Sequence, residues 1–369
     1  MAAEDWVEQV IERAMVIQQV PSPTFAESAR AALVRQLFVK EGLVDVQVDG
    51  VGNVLACLPG IGKAQPLIVS AHLDTVFPAG TDLTLRRDAE KVYAPGIGDN
   101  SLGLAALFGL AWELKSRQVP LAGDIWLVAN VCEEGLGDLL GMKAVVDHFG
   151  STVTAYLILE GMALGQVYHR GLGVRRYRIT TTTRGGHSWV DFGRPSAIHE
   201  LAALIVKLDA ISLPKEPRTS LNVGRISGGT SVNTIASQAA LELDTRSEGS
   251  QELAALAVQV ETLVEQANKS GAVRVLADVI GQRPVGEIPT SHPLVNLAVK
   301  ALHEQGITAQ LYIGSTDANV PLSRGLPAVT IGLTHGAGAH TVGEFIETGP
   351  LLLGLRQLFY LVDGLFKLS

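Results

Sequence analysis

Apolar residues recur at helical spacing from the start of the chain. Trp6, Val7, Val10, Ile11 and Met15 fall on one face of a helix predicted over Glu4–Gln18. Pro21 and Pro23 end it, because the residue before a proline is driven out of the helical region. A second helix is predicted over Ala26–Glu41. The pattern then shortens to apolar runs at Val44–Asp49, Asn53–Leu58 and Leu67–Ala71, which read as strands. Leu102–Arg117 is a long apolar helix, with Asn100 or Ser101 placed to cap it. Two further strands, Asp124–Cys132 and Thr154–Leu159, bracket a helix at Met142–His148. Strands alternating with helices predict parallel pairing through right-handed crossovers.

The middle of the chain changes rhythm. Val174–Thr183 reads as a strand, Ser196–Ile211 as a helix, Ser220–Ser227 and Gln238–Thr245 as strands, Glu252–Asn268 as a helix and Val273–Ile280 as a strand. That β-α-β-β-α-β order is the ferredoxin-like split unit. After Pro284 the earlier alternation returns, with a helix over Pro293–Gln305, a strand over Ala328–Gly332 and a last helix from Pro350. The expected fold class is α/β: a discontinuous mixed-sheet domain over residues 1–171 and 284–369, interrupted by a ferredoxin-like unit over 172–283. Such a unit leaves two sheet edges. One edge, with Leu201, Leu204, Ile205 and Leu208 on the neighbouring helix, is a candidate homodimer surface.

Composition narrows the function classes. At 369 residues, 47% hydrophobic and 18% charged, the chain can bury a large core in two domains. Its 29 Lys+Arg against 37 Asp+Glu give a net charge of −8 without a basic run, which argues against nucleic acid as a partner. Cys57 and Cys132 each lie in an apolar run and form no disulfide framework. Met1–Trp6 lacks the basic and apolar regions of a signal peptide. The most apolar uncharged run, Asn100–Trp112, falls short of the ~20 residues a membrane span needs. A cytoplasmic location with no membrane partner is therefore expected.

Candidate chemistry lies at strand ends, where open α/β sheets gather their ligands. Leu67–Ala71 runs into His72 and Asp74, which two-residue spacing puts on one side of an extended chain. A metal-bound imidazole usually donates its other N–H to a carboxylate, and Asp74 is placed to accept it. Asp99 follows Gly96 and Gly98 just before the apolar helix. Glu133 and Glu134 end the Asp124–Cys132 strand, and adjacent carboxylates at such a mouth repel unless a cation or proton lies between them. Glu160 ends the next strand; His335 and His340 lie in the glycine-rich loop after Gly332. Taken singly, His72 and Asp74 equally suit a solvated turn, Asp99 an N-cap, and either late histidine a plain loop. Thr341 and Glu344 have capping-box spacing, although Pro350 is the better helix start. Together the histidines and carboxylates form a mixed nitrogen–oxygen donor set that suits zinc, with manganese or cobalt also acceptable.

Four segments then carry a family resemblance: Ser70-Ala-His72-Leu-Asp74-Thr-Val, Gly98-Asp99-Asn100, Cys132-Glu133-Glu134-Gly135 and His340-Thr-Val-Gly-Glu344. They resemble the co-catalytic di-zinc metallopeptidases, the family of glutamate carboxypeptidase, succinyl-diaminopimelate desuccinylase, acetylornithine deacetylase, aminoacylase and peptidase T. The resemblance covers nearly the whole chain. It implies two zinc ions, with His72 and Glu160 on one, Glu134 and His340 on the other, and Asp99 bridging through a loop whose bond to Asn100 is cis. It further implies Glu133 as general base and Asp74 as the residue that orients His72. In the interrupting unit, a lid and dimerisation domain by resemblance, Arg184-Gly-Gly-His187 is similar to a loop whose histidine serves a neighbouring subunit's site. Ser227-Gly-Gly-Thr-Ser-Val-Asn233 resembles the family's substrate-contacting turn, and Arg246 is either a substrate contact or the partner of Asp244 or Glu248. Gly314-Ser-Thr-Asp317 resembles a wall of the substrate pocket. Glu160, where aminopeptidases of the family tend to carry Asp, tilts the expectation to a carboxypeptidase or deacylase acting on a small peptide or N-acyl amino acid. The alternatives are a ureido or carbamoyl amidohydrolase, a di- or tripeptide aminopeptidase, and an inactive regulatory protein on the same scaffold.

Overall fold

The computed structural model describes residues 4–117, 120–268 and 271–367; Met1–Ala3 of the N-terminal stretch considered above lie outside them. The chain divides into two compact units, one reaching Gly171 and resuming at Gly286, the other spanning Leu172–Val285.

The first unit is built on a nine-stranded mixed sheet. Its centre is four parallel strands in the order Ile125–Asn130, Leu67–His72, Ala155–Glu160 and Ala328–Gly332. Leu67–His72 and Ala328–Gly332 are buried at every position, as both-face coverage of a parallel sheet requires. Outside this centre the pairing is antiparallel, except that Gln310–Gly314 runs parallel to Gln166–Gly171. Val44–Val48 and Val54–Leu58 flank one side, and Gln166–Gly171 pairs antiparallel with Ala328–Gly332 on the other. The sheet is therefore mixed, as expected, and its centre holds the parallel pairing that strand–helix alternation predicts. Gln166–Gly171 and Gln310–Gly314 have no sustained apolar run, which hid both strands from pattern reading.

Helices cover the sheet. Gly103–Arg117 is buried along almost its whole length, and Glu4–Gln18 packs on it with Trp6 5.8 Å from Trp112. Burial of each large aliphatic side chain there contributes about 1.5–3 kcal/mol. Asn100 caps this helix through Oδ1, which accepts from Gly103 N at 3.2 Å. Both cysteines are buried free thiols. Among the described residues no helix is long and apolar enough to cross a membrane.

The second unit has the split order. Its four-stranded antiparallel sheet runs Thr219–Gly228, Gln238–Ser247, Gly173–Thr182 and Arg274–Arg283, with helices Ala197–Asp209 and Ser250–Ala267. Leu201, Leu204 and Leu208 pack into this unit's own core beside Tyr177 and Leu241. This corrects the expectation that they offer apolar area to a partner, since that helix face is already spent on the sheet beneath it. The large apolar residues left exposed on the same helix are Ile198 and Val206.

Candidate metal centre

Strand register brings the first donors together. His72 pairs with Asn130 on one side, while Ser70 pairs with Ile158 on the other, so His72 and Glu160 end neighbouring strands at one level. His72 Nε2 lies 3.8 Å from Glu160 Oε2 and 3.0 Å from Asp99 Oδ1. The other Asp99 oxygen, Oδ2, lies 3.1 Å from His340 Nε2, which is itself 3.2 Å from Glu134 Oε1. The five residues thus form two sets joined at Asp99. One donor atom each from His72, Asp99 and Glu134 lies within 4.8 Å of the others.

Loop geometry delivers Asp99 to that junction. The Asp99–Asn100 peptide bond is cis. Asn100 Nδ2 donates to the Leu159 carbonyl at 2.8 Å, and its Oδ1 accepts from Gly161 N at 3.1 Å, tying the loop to the strand end beside Glu160. A Cβ on Gly161 would collide with the Gly98 carbonyl oxygen, so only glycine permits this approach. Glu344 closes the other side. Buried completely, it accepts from Gly96 N at 2.9 Å, Gly98 N at 2.7 Å and Asp99 N at 2.8 Å. Its three-residue spacing from Thr341 suggested only a weak capping box, and nothing local marks its attachment to a loop far upstream.

Asp74 has a second job beside the one its spacing suggests. His72 Nδ1 lies 3.0 Å from the Asp74 backbone carbonyl and 3.5 Å from its carboxylate Oδ1. The carboxylate also accepts from Glu133 N at 2.9 Å and Glu134 N at 2.8 Å. It therefore fixes the turn bearing both glutamates as well as the imidazole. Asp317 departs from expectation: it is buried, accepts from Asn130 Nδ2 at 2.7 Å, and burial pushes its carboxyl up to about 7. Its side chain is part of the support beneath the strand ends rather than a pocket wall. His335 is exposed and absent from the cluster.

Burial opposes a charge on His72, yet Asp74, Asp99 and Glu160 hold its imidazolium well above the usual range. Asp99 and Glu134 lift His340 to about 10. Burial pushes the Asp99 carboxyl up, but the two imidazoles outweigh it and hold the group below the usual carboxylate range. Burial wins at Glu160, whose carboxyl is raised. The donor set fits metal ions. Ligands about 2.0–2.1 Å from a tetrahedral zinc stand about 3.3 Å apart, close to the nitrogen–oxygen separations here. Three converging carboxylates against two imidazoles also leave an excess of negative charge that a cation satisfies.

His187, Asn233 and Arg246 belong to the second unit. His187 N donates to Asp191 Oδ2 at 2.8 Å, and its Nδ1 accepts from Trp189 N at 3.2 Å, which leaves the proton of a neutral ring on Nε2. The loop is joined to Asn233, whose carbonyl accepts from Ser188 N at 3.0 Å. Arg246 Nε donates to Asp244 Oδ2 at 2.7 Å, and Asp244 also accepts from Arg176 Nε at 2.9 Å.

A mixed α/β sheet that gathers histidines and carboxylates at the carboxyl ends of its parallel strands defines a metal-dependent hydrolase. The family model for peptidase family M20/M25/M40 matches residues 68–363, and the chain belongs to that family. It is 25% identical over 333 residues to the succinyl-diaminopimelate desuccinylase of Corynebacterium glutamicum, covering 88% of each chain. It superposes with a TM-score of 0.83 on a tripeptidase from Staphylococcus aureus, at 22% identity and with 98% and 99% of the two chains covered. A Bacillus subtilis dinuclear metal-binding peptidase of the M20 family superposes with a TM-score of 0.72, at 16% identity and 99% coverage of both. The protein is an M20 family hydrolase of the peptidase and amidohydrolase type.

Proposed function

We propose that the chain hydrolyses an amide bond in a small peptide or N-acyl amino acid carrying a free carboxylate beside the scissile bond, with two zinc ions as cofactors. The observation behind this reading is that Asp99 faces one histidine with each oxygen, 3.0 Å from His72 and 3.1 Å from His340. His72, Asp99 and Glu160 would hold one ion; His340, Asp99 and Glu134 the other. When bound, the ions supply Lewis acidity, polarising the scissile carbonyl and lowering the pKa of the attacking water. Glu133 accepts the proton of that water and returns it to the leaving amine. Asp74 holds the Glu133 amide at 2.9 Å, so the base is carried on a fixed turn.

His187, with its ring proton on Nε2, donates to the developing oxyanion of a neighbouring copy's site in a homodimer, and Asn233 and Arg246 contact the substrate carboxylate. The Thr219–Gly228 edge strand, with Ile226 and Val206 exposed, supports an interface on this unit. Two features support the substrate class: Glu160 resembles the carboxypeptidase and deacylase members, and one relative is a desuccinylase, which acts on an acylated amine.

The deciding experiment is a zinc-, manganese- or cobalt-supplemented screen of dipeptides and N-acyl amino acids beside their carboxamides, read by amine release. Amine from the acids, with roughly tenfold or greater loss on the carboxamides, is expected. Equal turnover of both would remove the carboxylate requirement, and ammonia from ureido compounds instead of amine would replace the reading.

A further inference from the structure

Three polar side chains, Thr24 and Glu27 just before the second helix (Ser28–Lys40) and Arg30 in its first turn, reach the strand ends that bear the candidate ligands. Thr24 Oγ1 donates to Asp74 Oδ2 at 3.0 Å. Arg30, fully buried, donates from Nη1 to the Leu73 carbonyl at 3.0 Å and from Nη2 to the Val20 carbonyl at 2.8 Å. Glu27, also buried, makes the most consequential contact. Its Oε1 accepts from Cys132 N at 3.1 Å, from the Cys132 thiol at 3.3 Å and from Phe25 N at 3.1 Å.

Cys132 has φ 58°, the left-handed region that a side chain other than glycine's rarely adopts. Phe25, at the other end of the Glu27 contact, has φ 70°. One carboxylate oxygen therefore supports two left-handed residues from separate parts of the chain. The amides of three consecutive residues are then captured in turn: Cys132 by Glu27, Glu133 by Asp74 Oδ1 and Glu134 by Asp74 Oδ2. Asp74 holds the far side of this turn. Glu27 holds the residue at which the chain leaves the sheet and reverses.

We propose that Glu27 is a positioning residue for the reaction, acting through Cys132 to aim Glu133 and Glu134 at the metal centre. The inference rests on the reading of Glu133 as base and Glu134 as ligand. Without Glu27 the buried Cys132 amide has no acceptor and its left-handed backbone no support. The turn then relaxes toward negative φ and carries both following side chains with it. A displacement of about 1 Å at a reacting group can cost about 10²-fold in rate.

The test compares Glu27→Ala, Glu27→Asp and Glu27→Gln in the full chain, with Glu133→Gln and Glu134→Ala as controls. Two readouts are used: steady-state kinetics and zinc titration of the chelated protein. Glu27→Ala is expected to lower kcat about 10- to 100-fold with KM within about threefold. It should weaken the same single zinc equivalent that Glu134→Ala loses. Glu27→Gln keeps the acceptor oxygen and should recover most of the activity, and Glu27→Asp, whose acceptor is one methylene short, should fall between. Glycine accepts positive φ without a steric penalty, so Cys132→Gly added to Glu27→Ala should restore part of kcat. If the alanine variant does not fold, the aspartate variant decides. Wild-type kcat and two tight equivalents in a folded Glu27→Ala or Glu27→Asp chain would overturn the proposal. So would equal weakening of both equivalents with no rescue by Cys132→Gly. If the two control variants themselves keep full turnover and metal, the base and ligand reading fails instead.

Discussion

Glu344 accepts the backbone hydrogen of Asp99 at 2.8 Å, across 245 positions of sequence. The same carboxylate also takes the Gly96 and Gly98 amides, so one side chain from the last loop shapes the loop that presents Asp99 to both histidines. Glu344→Ala would strand three amides, each unsatisfied buried group costing about 1–3 kcal/mol. We expect a loss of at least about 2 kcal/mol in urea unfolding together with weaker metal uptake, while Glu344→Gln keeps an acceptor and loses less. An alanine variant with wild-type stability and metal affinity would show that the loop holds its own shape.

Asp99 turns a different oxygen to each histidine, which predicts an uneven outcome among the ligand variants. Asp99→Ala should lose both metal equivalents, whereas Glu134→Ala and Glu160→Ala should each lose one. Metal analysis of protein prepared without chelator checks this against an expected two ions per wild-type chain. Full retention by Asp99→Ala would remove it from the bridging role.

Glu133→Gln preserves size and an acceptor oxygen but abolishes the proton acceptor. Turnover should fall about 10²–10⁴-fold while metal content and thermal midpoint stay at wild-type values. Should Glu134→Gln keep its metal while Glu133→Gln loses it, the two roles are exchanged.

In the second unit, burial pushes the Asp244 carboxyl up, but the guanidinium groups of Arg246 and Arg176 outweigh it and hold the group below its ordinary 3.8. A carboxylate with a depressed folded pKa contributes stability that is complete above the unfolded value and is lost as pH falls through the folded one. Replacing Asp244 by Asn should therefore cost stability at pH 6 and progressively less below pH about 4. Chemical unfolding at both ends of that range checks it. A difference that does not shrink in acid would mean the ion pairs contribute nothing measurable.

If His187 serves a neighbouring copy, chains carrying His187→Ala and chains carrying Glu133→Gln complement each other. Each is nearly inactive alone, but a mixed dimer holds one site with an intact base and an intact histidine. Partial recovery of amine release is expected on mixing. Mixtures proven to contain heterodimers yet still inactive would confine His187 to its own chain.

Part of this architecture is local and was readable. Leu67–Ala71, Asp124–Cys132 and Thr154–Leu159 are apolar runs of strand length, and His72, Glu133, Glu134 and Glu160 are the first polar residues beyond them. A buried parallel strand can place charge only where it leaves the core, so such residues reveal themselves by position. The alternating pattern of residues 172–283 likewise fixes which side chains turn inward, because both periods are properties of the backbone.

Other assignments needed the folded chain. His335 and His340 share one glycine-rich loop, and only the tertiary fold sets His340 beside Asp99 and Glu134 while leaving His335 exposed. Asp74 reads as a partner for the His72 ring, but nothing local shows that its carboxylate also takes two amides from the turn after a different strand. Glu27 and Glu344 had no local signal, since the groups they satisfy are backbone amides 105 and 245 positions away. A backbone amide is identical at every residue, so the sequence does not say which one will be left needing a partner. That is decided where the loops meet, and with it which carboxylates hold the site and which hold the loops that carry it.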